Sequence, residues 1–239
     1  MTVYDLYLES GPQHRRTMVH VLDLLGCVAT GATTDRALAS TPDAVRAYRR
    51  FLRRHGEPID PDAPFTTAVV EHVTQGSFLG HGSPYLAFGP DLEPLSDDEV
   101  DRLLARFAWL RGELAGWAER QGAAELQAVP VGGGRTSWDV LRHVLAATGS
   151  YLSAALGSAP GFGRVAGAVE REELDVDEGL RRTIAMVEAR VRATTPEQRS
   201  AVRVLPAGPR TLRKALRRAL EHDWEHLVEL SRRPGGPEL

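Results

Sequence analysis

Cysteine is nearly absent from this chain: Cys27 is the only one in 239 residues, so no internal disulfide can staple the fold. It lies in an apolar, strand-like run, where a thiol acts as a small buried hydrophobe and not as a nucleophile. Lysine is equally scarce. Lys214 stands alone, and arginine carries the rest of the positive charge. Neither sign of charge dominates: 29 basic side chains face 32 acidic ones, which leaves no broad field to draw nucleic acid or a lipid surface. No apolar run approaches the roughly 20 residues of a membrane span. The first 25 residues carry Asp5, Glu9, Arg15 and Arg16 in place of a secretory apolar segment. A soluble cytoplasmic protein is expected, long enough for one large domain or two small ones. Catalytic signatures are also missing. Gly132-Gly133-Gly134 is followed by no Gly-Lys-Ser/Thr, so it reads as a flexible loop, and no Ser-His-Asp order or Cys-His pairing stands out.

What is present divides the chain in two. Val3 to Leu8 alternates apolar and polar residues, Ser10-Gly11-Pro12 turns it, and Thr17 to Leu22 and Gly26 to Gly31 supply two more strands. A helix is predicted from Thr34 to about His55, with Pro42 opening a new helical segment and Gly56-Glu57-Pro58 as the stop. Thr66 to Val73 makes a fourth strand. The order β-β-β-α-β predicts a small α+β domain over residues 1–75, with one helix on an antiparallel sheet. Residues 3–75 resemble HicB-like antitoxin domains through Asp23-x-x-Gly26-Cys27, Gly31 with Thr34, the Ala/Leu/Tyr ladder of the helix and the Gly-Glu-Pro exit. The resemblance implies a toxin-like or homomeric protein partner, and a homodimer is expected. Eight Arg against nine acidic residues before Pro90, with no ribbon-helix-helix or helix-turn-helix segment, exclude a dedicated DNA reader.

Residues 76–95 are rich in Gly, Pro and Ser but also hold Phe78, Tyr85 and Phe88, which predicts an ordered linker packed on folded protein. His72 and His81 have no spacing partner there and read as strand or surface residues. From Ser96 the pattern turns helical. Ser96 with Glu99, and Thr136 with Asp139, are capping boxes. Apolar stripes then predict helices from Ser96 to about Gln121-Gly122, from Thr136 to about Leu152, from Asp175 to Arg192, and from Thr211 to Arg233. A loop with Gly157, Pro160, Gly161 and Gly163 separates the second from the third. Thr195-Pro196 begins a short helical turn, and Val202 to Pro206 is extended. Residues 96–233 are therefore expected to form an all-α four-helix bundle.

The last helix carries His222 and His226, about 6 Å apart along its axis and on one side, a spacing that lets both reach one metal ion. Asp223 falls near the centre of the same helix's apolar stripe, where it either pairs with an arginine or orients a ligand imidazole. Trp138 and Trp224 either pack the core or line a pocket.

Helix order, caps, His143 within Thr136–Val144 and the His-x-x-x-His of Ala219–His226 resemble DinB-like (YfiT-like) metal-binding bundles over residues 96–233. The resemblance implies His143, His222 and His226 as ligands of one divalent ion, zinc or nickel, with a position left for water or substrate. It implies a metal-dependent enzyme acting on a small molecule, by hydrolysis or thiol-dependent transfer. A non-enzymatic HicB-like interaction or regulatory protein, with a structural or sensing metal, is the alternative.

Overall fold

The computed structural model describes residues 1–239. Strand β1 (Thr2–Ser10) pairs antiparallel with β2 (Thr17–Val21), which pairs antiparallel with β3 (Val28–Gly31). Helix α1 (Thr34–Arg54) follows, its N-terminus capped by the Thr33 side chain, which accepts from the Arg36 amide. It runs unbroken through Pro42, where a fresh start was expected. The Ser40 and Thr41 hydroxyls donate to the Ala37 carbonyl in the turn that Pro42 disturbs.

Strand β4 (Phe65–Val73) then pairs with β1 in parallel, giving the sheet order β3-β2-β1-β4. The sheet is therefore mixed and not antiparallel as expected. The reason is the crossover. Helix α1 carries the chain from one edge of the sheet to the other, and such a connection is what parallel pairing requires. A register shift between Leu6 and Tyr7 leaves Val70 as a bulge opposite them.

Every residue of β2 is buried, because both faces of the sheet are covered there. One face meets α1; on the other, His20 points at the last helix and its Nδ1 donates to Glu221 at 2.9 Å. Residues 76–95 pass over this junction and are fastened at several points. The Ser83 amide donates to the Glu9 carboxylate at 2.9 Å, and Thr211 Oγ1 donates to the Asp91 carbonyl at 2.6 Å. Phe88 is buried, but Phe78 is 65% exposed, so the segment packs without all of its aromatics.

The helical region opens with α2 (Asp97–Gln127), held by the anticipated Ser96/Glu99 capping box. It does not end at Gly122. That glycine takes φ +75°, kinks the helix, and the Ala- and Glu-containing turn beyond it resumes and buries Leu126. Helix α3 (Ser137–Leu156) is capped by Thr136 and Asp139. A short helix α4 (Phe162–Glu170) stands where a loop was predicted, since Gly157 and Gly161 only punctuate the connection while Phe162 and Val169 bury themselves. Helix α5 (Val176–Arg192), the single-turn α6 (Pro196–Ser200), a hairpin of β5 (Arg203–Leu205) and β6 (Gly208–Arg210), and α7 (Leu212–Ser231) complete the chain. The four long helices anticipated are α2, α3, α5 and α7, and α6 is the short turn expected from Thr195-Pro196; α4 is additional, so the region is more than a bare four-helix bundle.

Helix α7 organises the whole. It packs on α3 and α2 and also touches β3. Trp224 is buried and meets Tyr48 and Phe51 of α1. One buried core consequently runs from Leu6 and Met18 in the sheet to Leu110 and Leu145 in the helices. Being enclosed on nearly every side, α7 also buries Arg217, Arg218, Glu221, His222, Asp223 and His226, and polar groups so buried must find partners. No helix is long and apolar enough to cross a membrane.

Candidate metal centre

Packing of α3 on α7 brings His143 to the His222–His226 pair. The three imidazoles present ligand nitrogens that all lie within 4.8 Å of one another. His143 Nε2 and His222 Nε2 are 3.0 Å apart. A tetrahedral ion with bonds of about 2.0–2.1 Å would hold its nitrogens about 3.3 Å apart, a spacing that the His143–His222 pair already approaches. His222 and His226 are buried, whereas His143 is exposed and leaves one side of the cluster facing solvent.

The protonation states suit ligation. Partial desolvation against the cluster, reinforced by His226, holds the imidazole of the otherwise exposed His143 below its ordinary value. Burial does the same for His222, well below the ordinary value, with His226 and Arg218 adding to it. Neutral imidazole is the form that binds metal. His226 Nδ1 donates to Glu229 Oε2 at 2.8 Å, which fixes the tautomer and leaves Nε2 as the free lone pair. That hydrogen bond, with Arg135 and Arg233 alongside, pulls the Glu229 carboxyl down to about 2. Glu229 escaped the sequence reading. Its signal was the i,i+3 spacing from His226 on one helix face.

Asp223, the misplaced carboxylate of the apolar stripe, is the structural ion pair of its two readings. It accepts from Arg111 of α2, and both side chains are fully buried. Arg111 also donates to Thr183 of α5 at 3.0 Å, to the Val144 carbonyl of α3 at 3.0 Å, and to Thr148. One guanidinium thus ties together the four long helices beneath the histidines. Trp224 is a core residue, and Trp138 lies half-buried under the Arg142 guanidinium. His72 bonds Ser10 at 2.7 Å, His81 is exposed, and burial pushes the inert Cys27 thiol up.

Two consequences are measurable. Thr136 Oγ1 accepts from the Asp139 amide and starts the helix that carries His143; Thr136→Ala is expected to cost about 1 kcal/mol in urea unfolding. The second concerns pH. With its folded-state value held below the unfolded one, His222 refuses a proton that the unfolded chain accepts, so stability falls as pH drops from about 6.5. In metal-free protein, the loss of stability between pH 7 and pH 5 is therefore expected to be smaller for His222→Leu than for the natural chain.

The family model of the DinB superfamily matches residues 90–230, a span that contains all three histidines, Asp223 and Glu229. No curated protein and no solved structure matches the chain. Since the family match covers more than half of its length, the chain belongs to the DinB superfamily.

Proposed function

We propose that this protein is a divalent-metal-dependent enzyme of the DinB kind, holding one zinc or nickel ion on His143, His222 and His226 and acting on a small molecule in the cytoplasm. The observation that carries the reading is the convergence of three imidazoles, two of them held neutral by their surroundings, with a solvent-facing side at His143. An all-imidazole donor set suits both metals. An ion so held lowers the pKa of a bound water or thiol, or polarises a carbonyl. The chain's own part is to keep His143 and His222 unprotonated, to orient His226 through Glu229, and to leave a side open for the reactant. Hydrolysis and thiol-dependent transfer both fit that arrangement. Zinc- or nickel-loaded protein, offered an activated ester with and without a small thiol, is expected to turn over in one of the two formats. Equal rates in His222→Ala would remove the assignment.

A second reading concerns residues 1–75. We infer from the HicB-like pattern that this part binds a small toxin-like protein or a second copy. Strand β4 favours it: the strand forms one edge of the sheet, with Val69 and Val70 about half exposed. Light scattering is expected to return a dimer mass that a Val70→Lys substitution reduces to monomer. A natural chain that is monomeric and captures no small partner contradicts this reading.

A further inference from the structure

One turn of helix away from the histidines, α3 and α7 part to form a cleft of about 350 Å³. Its wall includes Arg210, Lys214 and Arg218 on one side and Tyr151 and Ala154 on the other, with Pro84 at the rim. Arg218 precedes His222 by four residues on α7, and the Tyr151 ring centroid lies 6.0 Å from that of His222. The cleft and the imidazole cluster therefore share one seam between two helices.

The charge of this wall is one-sided: three cations line it and no carboxylate does. Lys214 is buried and donates to a neutral acceptor, the Pro84 carbonyl, at 2.9 Å. Arg210 bonds only the carbonyls of Tyr85, Gly208 and Pro209. Arg218 is only 2% exposed, and its single hydrogen bond goes to Glu221, a carboxylate already shared with Arg217 and His20. The Arg218 Nε has no partner at all. Gly82 lies flat against the guanidinium at φ +71°, where a Cβ would come within 2.3 Å of it, so the linker seals Arg218 in place. Burial and the neighbouring Arg217 and Arg210 push the Lys214 ammonium down to about 7. Buried, crowded cations with unused donors are costly unless an anion completes them.

We propose that this cleft binds a small oxyanion, a carboxylate or phosphate group, through Lys214, Arg210 and Arg218, and so presents the rest of the ligand to the histidine cluster. The site names the substrate class of the enzymatic reading above and rests on that reading only for its link to the reaction. The volume suits a molecule of metabolite size. The Tyr151 and Ala154 wall gives its carbon skeleton an apolar surface, and the guanidinium fork and ammonium supply charge-assisted hydrogen bonds.

Calorimetric titration of the full-length chain, as purified and after chelator treatment, with succinate, inorganic phosphate and the neutral succinamide tests this. At least one anion is expected to bind saturably in both preparations while succinamide does not. Succinate alone binding assigns a carboxylate ligand, and phosphate alone a phosphorylated one. Lys214→Met is expected to weaken the anion at least about tenfold, since a charge-assisted hydrogen bond is worth about 1.5–3 kcal/mol. Ala154→Phe, which fills the cleft and leaves all three cations in the sequence, is expected to block binding, and it carries the test alone should Lys214→Met fail to fold. His222→Ala is expected to bind the anion as the natural chain does, so loss of the metal reading leaves this result standing. Absence of binding by either anion, binding only in metal-loaded protein, or binding that survives Ala154→Phe overturns the proposal.

Discussion

Replacing Asp223 by alanine is expected to cost about 3–5 kcal/mol, among the largest losses of stability available to a single substitution in this chain. The reason is what remains. Arg111 has no solvent exposure, and with Asp223 gone its charge stays in the core with only neutral acceptors on Thr183, Thr148 and the Val144 carbonyl. The cost is that of an abandoned buried charge more than of a lost attraction, which makes a second measurement informative. Replacing both partners with apolar residues of similar size, Arg111→Met with Asp223→Leu, is expected to recover most of the loss. Urea unfolding of the single and double variants decides it. A single variant within about 1 kcal/mol of the natural chain would mean that water or a repacked neighbour solvates Arg111. Helix α7 would then be looser than its burial implies.

The second large effect is on metal affinity. His222→Ala removes one of three imidazoles and is expected to lower affinity for zinc or nickel by more than about 100-fold. Glu229→Gln keeps all three rings but weakens the acceptor that holds His226, and changes of that kind cost about 10–100-fold. The ordering distinguishes ligand from support. Both proteins should stay folded, because the packing of α7 comes from Leu212, Leu216, Leu220, Trp224, Leu227 and Leu230. Competition with a chelator of known affinity measures both variants. Equal losses would make Glu229 a ligand, and no loss in His222→Ala would remove that residue from the site.

Much of the fold was legible because its signals are local. Caps at Ser96, Thr136 and Thr211 and the apolar stripes behind them mark helix starts to within a residue. The elements of the first 75 residues follow from alternation and turn residues in the same way. The parallel pairing of β4 was missed because it follows from the chain path and not from the strand itself. β1 and β3 both run antiparallel to β2, and the intervening α1 returns the chain so that β4 runs with them; nothing within Phe65–Val73 says which of the two it joins. Helix α4 was hidden because glycine and proline around residues 157–163 look like loop whether they interrupt helices or separate them.

The site shows the same division. His222 and His226 announce themselves by spacing on one helix, and Asp223 by sitting where a carboxylate should not. Its partner is 112 residues away and is identified only by the packing of α2 on α7. The cationic cleft was likewise invisible. Lys214 and Arg218 read as ordinary charges on an amphipathic helix until the sheet and linker close over the face that would have been polar.

Metal analysis of the purified chain bears most directly on the central claim. The protein is stripped with a chelator, reloaded with zinc or nickel, dialysed and assayed for bound metal beside His143→Ala and His222→Ala. One ion per natural chain and little in either variant, all three proteins retaining their helical signal, is the predicted result. A natural chain that cannot be reloaded, or variants that retain as much metal as it does, would contradict the three-histidine centre.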